Sequence, residues 1–322
     1  MTLRLVPRDA PPPALEPVVE TCVTCGAPAG TPYCARCGER RAADRPYTWH
    51  SLVDELWDAF SPVDGRVGRT LLTLLRRPGE LTAAYMRGVR MPYVPPLRLF
   101  LLVNVVFFLN ASIGERVRIA LPHARAWTGG NRSFDTPLWV HLTNTAHARV
   151  ARRLVRQHVP PRRGESAIAY NARIDRDYRP RFDAESTTQA KTLLIAMVPM
   201  FALLIGAVEW RRRRHAVQHL VLATHAIALL LLIVVAAQWV VGLPEAAALA
   251  LSDSSPDAAN QDLLITVPML AAFALWLRGA LRRAYGDGPI AATIKAVALA
   301  LGFGLVLFAY RALLFVTTLY AT

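Results

Sequence analysis

Lysine is nearly missing from this chain of 322 residues: of 37 basic residues only Lys191 and Lys295 are lysines, the rest arginines. That bias suggests a GC-rich bacterial genome. Acidic residues are scarce as well, 23 against those 37, which leaves a formal charge of +14. Charged residues make up only 19% against 53% hydrophobic, and mean hydropathy is +0.28. This balance excludes a disordered chain, a collagen-like repeat and a small disulfide scaffold, and it is too apolar for a soluble globular protein. Residues 1–20 hold no apolar core of signal-peptide length, and Pro11–Pro13 would break a helix, so they read as a flexible leader. Also absent are DxxD, HExxH, P-loop and nucleotide-binding signatures, which leaves enzyme assignments without a chemical anchor.

What is present begins with the cysteines. All four fall in one short stretch, Cys22-x2-Cys25 and Cys34-x2-Cys37. Two CxxC loops can wrap one tetrahedral ion, because each turns back and points two sulfurs the same way. Gly26 and Gly38 follow each pair and permit the tight backbone such knuckles need. A redox pair would want a βαβ context, whereas Pro28, Gly30 and Pro32 give only turns. Disulfides would require an oxidising compartment. The spacing predicts a closed structural zinc site in a small ribbon-like module over 21–41, although iron can also occupy four thiolates.

Residues 46–96 read as an amphipathic collar. Trp49, Val53, Leu56, Trp57 and Phe60 form one helical stripe, Val67, Leu71, Leu74 and Leu75 a second, and Leu81, Tyr85 and Met86 a third. From Arg66 to Arg98 there are seven arginines (Arg66, Arg69, Arg76, Arg77, Arg87, Arg90 and Arg98) and one acid, Glu80. Such helices either lie on an anionic lipid surface or pack on each other, and both can hold.

Five apolar segments follow: 97–113, 192–209, 217–241, 263–277 and 290–319. The first and fourth are short for a bilayer core, which needs about 20 helical residues. Trp210-Arg211-Arg212-Arg213-Arg214 joins the second and third, and Arg278, Arg282 and Arg283 lie between the fourth and fifth. The connection holding Glu245, Asp253, Asp257 and Asp262 has no basic residue. The positive-inside rule then places the N-terminus in the cytoplasm and the C-terminus outside. Residues 114–191 become an external loop, in which Trp139, Leu142, Ala146, Val150 and Leu154 line one face of a peripheral helix. The chain thus reads as an all-α integral membrane protein of about five transmembrane helices, carrying a zinc-ribbon-like module and juxtamembrane helices. Because the positive charge is spread over both surfaces, nucleic acid is not an expected partner.

Within the bundle, Arg311 falls in the outer part of the fifth span, with Asn110 as a depth-matched candidate partner. His215 and His219 share a helix face and His225 is rotated away. With Glu209, two of these histidines could bind a metal or relay protons, but such residues more often meet headgroups or neighbouring side chains. Pro199 and Pro268 are expected to kink the second and fourth spans.

Several of these pieces resemble an uncharacterised bacterial membrane-protein family known only as a domain of unknown function. The resemblance rests on the paired cysteines with Gly38-Glu39, on Arg77-Pro-Gly-Glu80, Tyr85-Met-Arg-Gly88 and Arg90-Met-Pro-Tyr-Val-Pro-Pro96. It extends to Val198-Pro-Met-Phe-Ala-Leu203, the arginines leading to His219 and His225, and Tyr310-Arg311. Gln218 stands where that family tends to carry an acid. The resemblance implies a cytoplasmic zinc-ribbon-like head on a helical inner-membrane bundle and supplies no activity. The expected function is a non-enzymatic scaffold or adaptor that meets membrane lipids and recruits a cytoplasmic protein through the zinc module. The competing reading is a small transporter or transporter subunit using Arg311, His219, His225 and Asn110; a lipid-modifying enzyme is weaker, with no nucleophile evident.

Overall fold

The computed structural model describes residues 20–29, 32–39, 65–120, 134, 136–143, 147–212, 215–242, 244 and 258–322. The leader over 1–19, the expected helix at Trp49–Phe60 and most of the acidic connection after residue 242 lie outside them. Strands β1 (Glu20–Thr21) and β2 (Pro28–Ala29) form one short antiparallel pair. Among the described residues every other regular element is helical.

Two short helices come first, α1 (Arg66–Arg76) and α2 (Glu80–Met86), then α3 (Pro96–Ala120). Helices α4 (Leu138–Thr143) and α5 (Ala148–His158) follow. The peripheral helix expected around Trp139–Leu154 is therefore two helices, with His147 at the start of the second. Helix α6 (Ala167–Arg173) passes through a π-helical turn (Ile174–Tyr178) into α7 (Arg179–Leu193), then through a 3-10 turn (Leu194–Ala196) into α8 (Met197–Val208). This run of 42 residues starts far before Thr192, so much of the expected loop is helix. Hydropathy could not show this, because α6 and α7 expose polar side chains. The 3-10 turn lies just before Pro199, whose ring fits the first turns of α8. Helix α9 (Ala216–Ala237) ends in a second π turn (Gln238–Gly242), and α10 (Ala258–Tyr285) and α11 (Pro289–Ala321) close the chain.

Among the described residues four helices are long and apolar enough to cross a membrane: Pro96–Ile113, Ala167–Val208, Ala216–Val240 and Pro289–Ala321. Helix α10, which contains the expected fourth span, is not one of them, although it packs along α11 and α9. Helix α9 is apolar on every side, as a helix surrounded by others must be, and it packs against α3, α8, α10 and α2. Phe201, Phe273 and Phe303 from α8, α10 and α11 meet in one aromatic cluster with centroids 5.7–6.0 Å apart. By contrast, α11 turns Ile290, Ile294, Val297, Leu301, Leu305 and Phe308 outward. An exposed apolar row of that length on one helix suits contact with hydrocarbon.

Helix α2 does not lie on the surface. Leu81, Thr82, Ala83, Ala84 and Tyr85 are all buried, and the helix packs against α9 and α10. Small residues at consecutive positions allow this close approach from two sides. Helix α1 remains amphipathic: Thr70 and Leu74 face inward, while Arg69, Leu72, Leu75 and Arg76 are exposed. At the opposite end a second core joins Leu138, Ala151, Val155, Tyr170, Ile174 and Phe182 to Phe315 and Leu319 of α11.

Candidate metal centre and buried polar clusters

The two cysteine knuckles are built alike. Gly26 N–H donates to the Cys22 carbonyl at 2.9 Å and Gly38 N–H to the Cys34 carbonyl at 2.8 Å. Cys22 N–H reaches the Ala27 carbonyl and Cys34 N–H the Glu39 carbonyl, both at 2.8 Å. Both glycines take the left-handed conformation (φ 70° and 74°), which a side chain would disfavour. The four Sγ atoms lie within 4.8 Å of one another, with Cys22–Cys37 at 3.5 Å and Cys25–Cys34 at 3.6 Å, and none is disulfide-bonded. Tetrahedral coordination at Zn–S ≈ 2.3 Å needs sulfurs about 3.8 Å apart, so the donor set fits such an ion. Backbone N–H groups of Cys37 and Arg36 pull the Cys34 thiol down to about 7. The Cys37 thiol receives the Glu39 N–H, yet desolvation and the three neighbouring thiols push it up to about 12. Four thiolates this close repel one another unless a cation sits between them. Among the described residues this is the one group of three or more ligands suited to a metal.

Glu39 fastens this module to the helices. Its buried carboxylate Oε2 accepts from Thr24 Oγ1 at 2.8 Å and from the backbone N–H groups of Arg90 and Met91 at 2.9 Å each. Thr70 Oγ1 holds the same segment by accepting from Val94 N–H at 3.0 Å. Of the collar arginines, Arg90 stacks over the Tyr85 ring at 4.2 Å, Arg66 donates to the Met91 carbonyl, and Arg87 pairs with Glu80 at 2.9 Å. Arg69, Arg76, Arg77 and Arg87 are exposed, while Arg66 and Arg98 are half-buried.

The intramembrane candidates are not brought together. His219 Nδ1 meets the Tyr285 hydroxyl at 2.8 Å, and His225 Nδ1 meets Thr82 Oγ1 at 2.9 Å. Each histidine is thus held by a different helix, and the shared site with Glu209 does not form. Asn110 bonds to the turn after α9: its amide donates to Gln238 Oε1, and its Oδ1 accepts from Trp239 Nε1 at 2.7 Å. The π turn after α9 rotates Gln238 and Trp239 toward α3, a feature the sequence pattern does not reveal.

Two clusters escaped sequence reasoning. Lys295 Nζ lies 2.6 Å from Glu209 Oε1 and 3.1 Å from both Asp287 oxygens, with both carboxylates buried. A signal existed, since Lys295 is one of only two lysines. At the opposite end, His141 Nδ1 and His147 Nε2 are 3.0 Å apart beside Phe315. Burial, then the His147 and Arg311 charges, lower His141 to about 3, and His147 is lowered by burial and Arg311.

A family model described as a protein of unknown function (DUF3667) matches residues 64–108. This stretch runs from α1 into α3 and contains Arg77–Glu80, Tyr85–Gly88 and Arg90–Pro96. It does not reach the cysteines, the second span or Tyr310-Arg311. No curated protein and no solved structure matches the chain.

Proposed function

We propose that this is a non-enzymatic multi-pass protein of the bacterial inner membrane. Its four-thiolate module holds zinc and staples the arginine-rich collar in place at the cytoplasmic face. The observation that carries this reading is the Glu39 carboxylate, which links the second knuckle to the backbone of Arg90 and Met91. Five spans, including α10, with the N-terminus inside and the C-terminus outside, agree with the arginine-rich connections near Arg211 and Arg278–Arg283. The exposed Arg69, Arg76, Arg77 and Arg87 offer that face to anionic headgroups, and the module's outer surface offers a cytoplasmic protein a docking point.

The test compares wild type with Cys22→Ser, Cys25→Ser at matched membrane level. Metal analysis should fall from one zinc per chain to none, and amide exchange at Arg90 and Met91 should accelerate at least roughly tenfold as the staple loosens. Co-purification from native membranes then asks which proteins depend on the module. Unchanged exchange after zinc loss would show that the module does not position the collar.

A second reading as a small transporter draws on the buried Glu209–Lys295–Asp287 cluster, because ionisable groups inside a bundle often mark pathways. Arg311→Leu tests a pathway through the outer half: normal flux in a folded variant would remove Arg311 from it.

A further inference from the structure

An open cavity of about 260 Å³ lies at the end of the bundle away from the cysteines. Its walls come from the end of α5, the π turn between α6 and α7, and the end of α11. The residues that matter are His158, Arg173, Asp177, Tyr178, Arg181 and Thr322, with Val159 and Ile174 as the apolar part of the lining. A π turn widens a helix by one residue per turn, and such turns cluster at functional sites. Here Ile174, Asp177 and Tyr178 of the turn itself form the wall.

Two guanidinium groups and one carboxylate lie in this wall. Arg173 is held in one plane: Nε donates to Glu165 Oε1 at 2.9 Å, and Nη2 donates to Glu165 Oε2 at 2.8 Å and to the Pro160 carbonyl at 3.1 Å. Its Nη1 has no hydrogen bond among the described residues. Arg181 has neither a hydrogen bond nor an ion pair among the described residues. The acid in the wall, Asp177, already accepts from Arg176 Nε at 3.2 Å. The Tyr178 hydroxyl, 2.9 Å from Thr322 Oγ1, and the His158 ring add further polar groups. One fixed and one unengaged guanidinium make a donor set that matches a tetrahedral oxyanion, since guanidinium forks pair with phosphate oxygens. The volume is just under the roughly 300 Å³ of the smallest common ligand pockets, which suits a phosphorylated headgroup better than a large molecule.

We propose that this cavity binds a phosphate group, with Arg181 and the Nη1 edge of Arg173 as its donors and the Val159–Ile174 wall against whatever carries it. The group could belong to a soluble phosphate or to a phospholipid head. The full chain in phosphate-free maltoside detergent distinguishes these sources: inorganic phosphate is titrated by calorimetry, and phosphatidylglycerol is titrated into parallel samples and followed by native mass spectrometry. Saturable binding of either probe, weakened about tenfold or more by Arg181→Gln and unchanged by Arg163→Gln, is the expected result. Arg181 and Arg163 are both exposed, so neither change should unfold the chain. Binding of inorganic phosphate alone assigns a soluble ligand, and binding of the lipid alone assigns a headgroup. No saturable binding of either probe, or equal affinity in Arg181→Gln, overturns the proposal.

Discussion

Gly79 lies so close to Ala280 that a Cβ at residue 79 would stand 2.6 Å from the Ala280 Cα and 2.7 Å from its carbonyl oxygen. Gly279 meets Pro78 in the same way, at 2.8 Å from the proline Cβ. Trp276 Nε1 donates to the Leu74 carbonyl at 2.7 Å, one helical turn earlier on α10. The turn between α1 and α2 is therefore packed against α10 backbone to backbone, and Gly79 also sits at φ 79°. Gly79→Ala should cost about 3 kcal/mol, left-handed strain plus forced separation of the helices. Gly286→Ala is the control: φ is 68° but nothing lies within 4 Å of the added carbon. Thermal unfolding in detergent should show a clearly larger loss at Gly79. Equal losses would mean that the contact with Ala280 contributes little.

Lys295 neutralises two buried acids that belong to different segments, Glu209 after α8 and Asp287 in the turn before α11. Lys295→Met should destabilise the bundle by about 3–5 kcal/mol, because it removes the cation that pairs with two buried carboxylates. Adding Glu209→Gln and Asp287→Asn to that variant should recover most of the loss. The recovery, read from unfolding midpoints, separates charge pairing from simple packing of the lysine stem. A triple variant no better than Lys295→Met would rule out pairing as the cause.

Hydropathy made α3, α8, α9 and α11 legible, since each carries an apolar run that lipid or other helices must cover. Cysteine spacing made the four-thiol cluster legible for a similar reason: two CxxC loops each turn back and bring their two sulfurs together. The rest depended on partners far apart in the chain. Glu39 is 51 residues from Arg90, and nothing near Glu39 announces that its acceptors will be filled there. Helix α2 carries Thr82, Ala83 and Ala84, which look indifferent in a hydrophobic pattern yet are what lets it insert between α9 and α10. The start of α6 was hidden because a helix that extends beyond the apolar layer has no hydropathy signal.

The contact between Thr82 and His225 joins that inserted helix to the centre of α9. Thr82→Val keeps the shape and removes the hydroxyl, leaving His225 Nδ1 buried without this partner. A loss of about 1–3 kcal/mol is expected. Thr224→Val provides the comparison, because among the described residues the Thr224 hydroxyl bonds only back to the Leu220 carbonyl of its own helix at 2.7 Å. That substitution should be nearly neutral. Unfolding midpoints of the two variants in the same detergent decide the matter, and equal effects would show that the bond from α2 to α9 adds nothing.

His141 makes stability depend on pH at the opposite end of the bundle. Its ring is buried against Phe182 and Phe315, and burial, His147 and Arg311 together lower it to about 3. An unfolded histidine titrates near 6.5. Above that value both states hold the ring neutral and its contribution is complete. As pH falls below about 6.5 the unfolded chain binds a proton that the folded chain refuses, so stability declines until the folded ring titrates near 3. At pH 5 the loss is about 2 kcal/mol, from 1.36 kcal/mol for each pH unit below 6.5. His147 shifts in the same direction and adds to it. The unfolding midpoint should therefore drop between pH 7 and pH 5, and His141→Phe should remove at least half of that slope while keeping the aromatic packing. A slope unchanged in His141→Phe would place the acid sensitivity elsewhere in the chain.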